Sequence, residues 1–210
     1  NTVAFDEKEQ DKVQNIIEKK EFNRAEWRNL GKARKVDASF LYSNKLKAKI
    51  TLQKKWRIIV DPGCGATYNL APEILKNLGC RTIALNAQPD GLFPDRSPEP
   101  NEDTLACTAR IVKELGADLG IAYDGDGDRV AFIDEKGKFA DFDRTLAAYS
   151  AYVMTETPGG TVVTNVEASM GIEKSVEAKG GKVIRTKVGD TYVSQEIIKK
   201  GAVFGGEPCG

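Results

Sequence analysis

ADLGIAYDGDGDRVAFID, residues 117–134, sets two short apolar runs on either side of an acidic, glycine-rich loop. The run LGIAY (119–123) is continuous and apolar, which predicts a strand covered on both faces. RVAFID (129–134) predicts a second strand turning back, with Glu135-Lys136-Gly137-Lys138 as the turn after it. Between them, Asp124, Asp126 and Asp128 are spaced by single glycines, which let the backbone turn tightly enough for three carboxylates to converge on one hard cation. Without a cation, carboxylates that close repel one another, and the plain alternative is a solvated acidic turn. A sharper alternative is a Ca²⁺ loop of the EF-hand type. Asp124, Asp126, Asp128 and Glu135 fall on positions one, three, five and twelve of that pattern, but Arg129 stands where its glycine belongs and the flanks read as strands.

Working outward, apolar runs and helical stretches alternate. Upstream lie the runs RIIV (57–60) and TIAL (82–85), with helices over 69–79, opened by Asn69 and ended by Gly79, and over 103–116, opened by Asp103 and ended by Gly116. Downstream a second round is expected: helix 144–156, strand 161–166, helix 170–179, strand 182–186, helix 191–200 and strand 202–205. Before both rounds, Val13, Ile16 and Ile17 at helical spacing predict a helix over 6–20. A loop around 27–35 follows, and then a helix over 38–52 with Phe40, Leu41, Ala48 and Leu52 broadly on one side. The alternation predicts an α/β fold of tandem three-layer α/β/α domains with mixed, mostly parallel sheets. Each round ends in a loop of glycines and acids, 124–128 in the first and 205–207 in the second, at the carboxyl ends of strands where open α/β sheets bind ligands.

Composition narrows the chemistry. The 210 residues are 40% hydrophobic, an ordinary globular value, and 31 basic residues balance 31 acidic ones. There is no net field for a nucleic acid or an anionic membrane, so neither is an expected partner. The local run of lysines and arginines from 28 to 57, in which Asp37 is the only acid, reads as a solvated helical surface. Histidine is absent, which removes the commonest general base and transition-metal ligand and leaves carboxylates, lysine, arginine, hydroxyls and thiols. Cys64, Cys80, Cys107 and Cys209 form no C-x-x-C pair, and neither a signal peptide nor an apolar stretch of about 18 residues is seen. Reduced thiols and a cytoplasmic location are expected. The chain begins at Asn1 and stops at Gly210 just after GGEPC, which predicts a segment of something longer.

The loop DGDGDR after a strand resembles the metal loop of the α-D-phosphohexomutases, the family of phosphomannomutase, phosphoglucomutase and phosphoglucosamine mutase. DPGCGA (61–66), PDGLFP (89–94) with SPEP (97–100), TKVGD (186–190) and GGEPCG (205–210) stand in the order that family shows, so the resemblance covers nearly the whole chain. It implies a four-domain enzyme in which residues 1–36 are the tail of domain 1, 37–142 a metal-binding domain 2, and 143–210 most of a sugar-binding domain 3. Domain 4 and the rest of domain 1 would be partners in the same chain. It also implies the reaction: a phosphoserine in domain 1 gives its phosphoryl group to a hexose or hexosamine phosphate, and the bisphosphate reorients and returns the other phosphate. The 1-phosphate and 6-phosphate isomers are thereby interconverted.

The site residues follow from the same resemblance. Asp124, Asp126 and Asp128 would hold Mg²⁺, the implied cofactor, and Arg129 would reach the transferring phosphate, its alternative being a structural salt bridge to a neighbouring aspartate. Glu207 would accept hydrogen bonds from sugar hydroxyls, or else sit in an exposed turn. Many members carry serine two residues later; Cys209 stands there and is a poor hydrogen-bond partner. Gly189 and Asp190 match a loop that orients the phosphosugar substrate, although Asp190 also suits a helix N-cap. DPGCGA and PDGLFP are read as structural turns, because they lack the spacing of nucleotide loops.

Overall fold

The computed structural model describes residues 5–209. Helix α1 (Glu7–Lys19) opens on Asp6, whose side chain accepts from the Glu9 N–H while the Glu9 carboxylate accepts from the Asp6 N–H. Its expected apolar stripe finds no core. None of its residues is buried, and Ile17 is 58% exposed. Helix α2 (Ser39–Lys47) is shorter than the predicted 38–52. The β-branched pair Ile50-Thr51 does not continue it, and Leu52 leaves to join an apolar cluster with Trp56 and Leu75. Phe40 and Leu41 point to solvent; the residue α2 buries is Ser43, whose hydroxyl accepts from Asn77 Nδ2 at 3.1 Å.

The first sheet is built from β1 (Arg57–Asp61), β2 (Arg81–Ala84), β3 (Leu119–Tyr123), β4 (Val130–Ile133) and β5 (Phe139–Ala140), in the order β2-β1-β3-β4-β5. β1 runs parallel to β2 and β3, while β4 pairs antiparallel with β3 and β5. Alternate side chains of β1 feed opposite faces. Ile59 packs with Leu105 and Val112 beneath α4 (Ala106–Glu114), and Ile58 packs with Leu75 of α3 (Leu70–Asn77) and Cys80. Fully burying side chains such as Ile59, Val112 and Ile133 stabilises the fold by about 1.5–3 kcal/mol each.

The second unit contains α5 (Phe142–Glu156), β6 (Thr161–Asn165), α6 (Gly171–Glu177), β7 (Lys182–Thr186), α7 (Asp190–Lys200) and β8 (Phe204–Gly205). Its sheet, β7-β6-β8, is parallel throughout. Val162 packs with Leu146 and Met154 of α5 and Ile172 and Val176 of α6, and neighbouring Val163, fully buried, points to the other face, beneath α7. Two α/β/α sandwiches with mixed and parallel sheets are therefore present, as the alternation predicted. One helix start differs from the sequence expectation. Asp103 does not open α4, because Asn101 and Thr104 exchange reciprocal side-chain hydrogen bonds in a preceding turn. Asn69 stands at the N-cap of α3 as expected, although its side chain makes no capping bond. Gly79 and Gly116 follow their helices as expected, with Cys80 N–H donating to Leu75 O and Ala117 N–H to Val112 O. Among the described residues no helix is long and apolar enough to cross a membrane.

Candidate active site at the strand ends

The acidic loop leaves the carboxyl end of β3 and returns into β4. Asp124 is buried, and its Oδ1 accepts from the N–H groups of Gly127 (2.9 Å) and Arg129 (3.1 Å); Asp126 and Asp128 are exposed. One carboxylate oxygen from each of the three lies within 4.8 Å of the others. Burial pushes the Asp124 carboxyl up. The bonds from Arg129, Asp126, Asp128 and Gly127 together outweigh that and hold it below the ordinary carboxylate range. Asp128 is pushed up, first by desolvation and then by sharing with Asp124. An all-oxygen set of three converging carboxylates fits Mg²⁺ or Ca²⁺. The EF-hand alternative does not survive: the flanks are antiparallel strands, and Glu135 lies beyond β4, outside the cluster.

DPGCGA and PDGLFPDRSP turn out to be the bed of this loop. Gly65 packs so closely on it that a Cβ would stand 2.5 Å from Gly125 O, and the Ala66 N–H donates to that same oxygen at 2.9 Å. At Gly127 (φ +85) a Cβ would meet Thr67 Cγ2 at 2.4 Å. Underneath lies a buried ion pair that sequence reasoning missed, Arg96 Nε to Asp61 Oδ2 at 3.2 Å. The Asp61 carboxylate also accepts from Gly63 N–H, Asn86 Nδ2 and the Thr108 hydroxyl. Arg96 Nη2 donates to Tyr123 O at 2.6 Å, the carbonyl immediately before Asp124. Arg96 thus ties the floor of one loop to the entrance of the other.

Arg129 is half-exposed and pairs closely with Glu99, an acid the sequence did not mark, and more loosely with the neighbouring Asp128. Its Nη1 lies 2.5 Å from Glu99 Oε2 in the SPEP segment, and Asp128 is 3.9 Å from Nε. The Glu99 carboxylate beside it pushes the guanidinium's proton affinity further up, so it stays charged.

From the second sheet, Glu207 follows β8 and is half-buried. Its Oε1 accepts from Asn165 Nδ2 (2.7 Å) at the end of β6 and from Gly189 N–H (2.8 Å) at the start of α7. Gly189 is the cap position of α7, so Asp190 is its first helical residue and not the N-cap. The exposed Asp190 side chain is bonded by the Thr191 hydroxyl at 3.4 Å. Cys209 is exposed; desolvation first, and the Glu207 carboxylate second, push its thiol up. Residues of both units line one cleft of about 500 Å³. Asp128 and Arg129 line one side, and Gly189, Asp190, Glu207 and Cys209 the other. Asp124 and Asp126 line an adjoining groove with Glu99, Asp128 and Arg129, so Asp128 and Arg129 belong to both.

Residues 39–137 match the family model for phosphoglucomutase/phosphomannomutase alpha/beta/alpha domain II, and residues 141–210 match that for domain III. A probable phosphoglucosamine mutase of Methanothermobacter thermautotrophicus is 42% identical over 198 residues, 94% of this chain and 43% of that protein. The phosphoglucosamine mutase of Methanococcus maripaludis is 40% identical over 215 residues, covering 100% of this chain and 48% of its own length. The chain spans about half the length of these relatives. A crystal structure of a phosphoglucomutase/phosphomannomutase family protein from Burkholderia thailandensis superposes with a TM-score of 0.88 at 27% identity, over 99% of this chain and 44% of that one. With matched models over both sandwiches and the acidic loop and Glu207 facing one cleft, the chain belongs to the phosphoglucomutase/phosphomannomutase family.

Proposed function

We propose that this chain supplies the metal-binding and sugar-binding parts of a phosphohexomutase, an intramolecular phosphotransferase that interconverts the 1- and 6-phosphates of a hexosamine. The observation that carries the reading is the shared cleft: Arg129 and Asp128 face Glu207 and Gly189 across it. The relatives named phosphoglucosamine mutase favour a hexosamine over glucose or mannose. A phosphoserine from domain 1 and phosphate-binding groups from domain 4 of the same polypeptide complete the reaction, which runs through a bisphosphorylated sugar. We place it in the cytoplasm.

Asp124, Asp126 and Asp128 would hold Mg²⁺, which when bound neutralises charge on phosphoryl oxygens. Arg129 projects from the same loop, and its charged fork stabilises the equatorial oxygens of the phosphoryl group in flight. Glu207, acceptor-only when ionised, takes hydrogen bonds from sugar hydroxyls and sets which end of the sugar faces the phosphoserine. Gly189 and Asp190, at the start of α7, line the same cleft and would orient the substrate from that side. The full-length protein, assayed with Mg²⁺ and a hexose bisphosphate activator, should interconvert glucosamine 6-phosphate and glucosamine 1-phosphate faster than the glucose or mannose pairs. Failure to interconvert any hexose phosphate would overturn the reading.

Two further outcomes are expected. The 210-residue chain by itself should bind Mg²⁺ with a dissociation constant of about 1 mM or weaker, because Mg²⁺ relies on phosphate oxygens as well as carboxylates. Titration calorimetry should show sub-millimolar affinity only in the full-length, serine-phosphorylated protein; tight binding by the chain alone would mean that the carboxylates suffice. Glu207→Gln in the full-length enzyme should raise KM for the sugar phosphate roughly tenfold or more, on the scale of losing one charge-assisted hydrogen bond. Its Mg²⁺ affinity should be unchanged. Equal loss of Mg²⁺ binding would remove Glu207 from the sugar side.

A further inference from the structure

Glu207 does not hold its own position. It lies in the loop after a two-residue strand, and its Oε1 is engaged from two other elements: Asn165 Nδ2 at the carboxyl end of β6 and the Gly189 N–H that starts α7. Asn165 is 2% exposed. Its own Oδ1 accepts from the N–H groups of Glu167 (3.0 Å) and Ala168 (3.1 Å). An amide oxygen satisfied by two donors fixes which way the amide faces, so the NH₂ end is aimed at Glu207 and cannot flip without stranding buried groups. The neighbouring Thr164 hydroxyl donates to Gly206 O at 2.8 Å, fastening the backbone just before Glu207 to the same strand end. Glu207 Oε2 accepts no hydrogen bond among the described residues, and Glu207 borders the cleft shared with Arg129, Asp128, Asp190 and Cys209.

We propose that Asn165 is a positioning residue of the sugar site: it holds one oxygen of Glu207 against the sheet so that the other is offered to the sugar hydroxyls. The inference rests on the phosphohexomutase reading for what Glu207 binds, but not for how Glu207 is held. Both lone pairs of Oε1 are taken by the fold, so the two on Oε2 are what the substrate meets. The side chain reaches the substrate already ordered, and the rotamer entropy of a long carboxylate is lost on folding and not on binding. The same bonds link Glu207 to the start of α7, so the loop with Gly189 and Asp190 and the loop with Glu207 move as one.

Asn165→Asp tests this. The new carboxylate retains an acceptor for the Glu167 and Ala168 N–H groups, so the turn survives, but it presents an oxygen to Glu207 where a donor stood, and like charges that close repel. In the 210-residue chain, with no ligand, amide hydrogen exchange at Gly189 should accelerate at least tenfold as Glu207 is driven off, while amides in β6 and the middle of α7 keep their protection. In the full-length enzyme KM for the sugar phosphate should rise at least tenfold, with kcat within about threefold and Mg²⁺ affinity unchanged. Should Asn165→Asp fail to fold, Asn165→Ser gives the same comparison, since serine accepts from the same turn but does not reach Glu207. Unchanged exchange at Gly189, or an equal loss of protection throughout the second sandwich, would overturn the positioning role. Accelerated exchange at Gly189 alone, in a protein that turns over no hexose phosphate, would uphold the positioning role and remove the proposed substrate instead.

Discussion

Asp61→Ala should lower the stability of the first sandwich by about 3–5 kcal/mol, the range found when one partner of a buried ion pair is removed. The carboxylate is fully buried and accepts from four groups: the Gly63 N–H, Asn86, Arg96 and the Thr108 hydroxyl. Alanine leaves the guanidinium of Arg96, itself buried, without a counter-charge, and strands the Thr108 hydroxyl. For a chain of this size each kcal/mol lowers the melting temperature by roughly 2–4 °C, so calorimetry should register a drop of roughly 6–20 °C. The double variant Asp61→Ala, Arg96→Met should recover part of the loss, because both charges are then gone. A single-variant loss below about 1 kcal/mol would mean that water reaches Arg96, and the account of the ion pair would fail. Since Arg96 also holds Tyr123 O, the single variant should slacken the acidic loop and weaken Mg²⁺ binding further.

Arg129→Lys in the full-length enzyme should reduce turnover by on the order of 10²-fold or more, by analogy with the loss of one transition-state donor. The melting temperature should barely move. The reason lies in the partners: Arg129 pairs with Glu99 at 2.5 Å, but both side chains are 40% or more exposed, and such a pair contributes little to stability. Lysine keeps the charge and loses the planar fork that engages two oxygens at once. Steady-state kinetics beside a thermal melt separate the outcomes. Early unfolding with full turnover per folded molecule would make Arg129 a structural partner of Glu99 and end its catalytic assignment.

Much of this architecture could be read without coordinates, and the reason is local. Strands such as LGIAY and helices closed by Gly79 and Gly116 are specified by residues within a few positions of one another, and β3 forms, and α3 and α4 end, where those signals stand. The convergence of Asp124, Asp126 and Asp128 is local too, because the three carboxylates fall within five consecutive residues, two of them glycines. Local signals failed where tertiary contacts compete. The apolar residues of α2 predicted a buried face, yet the helix ends early and presents Phe40 and Leu41 to solvent, because Leu52 is drawn into the cluster with Trp56.

By itself the sequence determined the order of the elements, the tandem α/β plan, the acidic loop and the glutamate of the last loop. What only the tertiary structure decided is what holds them. Asp61 and Arg96 are 35 residues apart, and Asn165 and Glu207 42. In the sequence nothing marks which residue is the partner of which. The carboxyl ends of parallel strands bring such distant residues together, and burial there makes an unmatched donor or charge costly enough that each must find its partner.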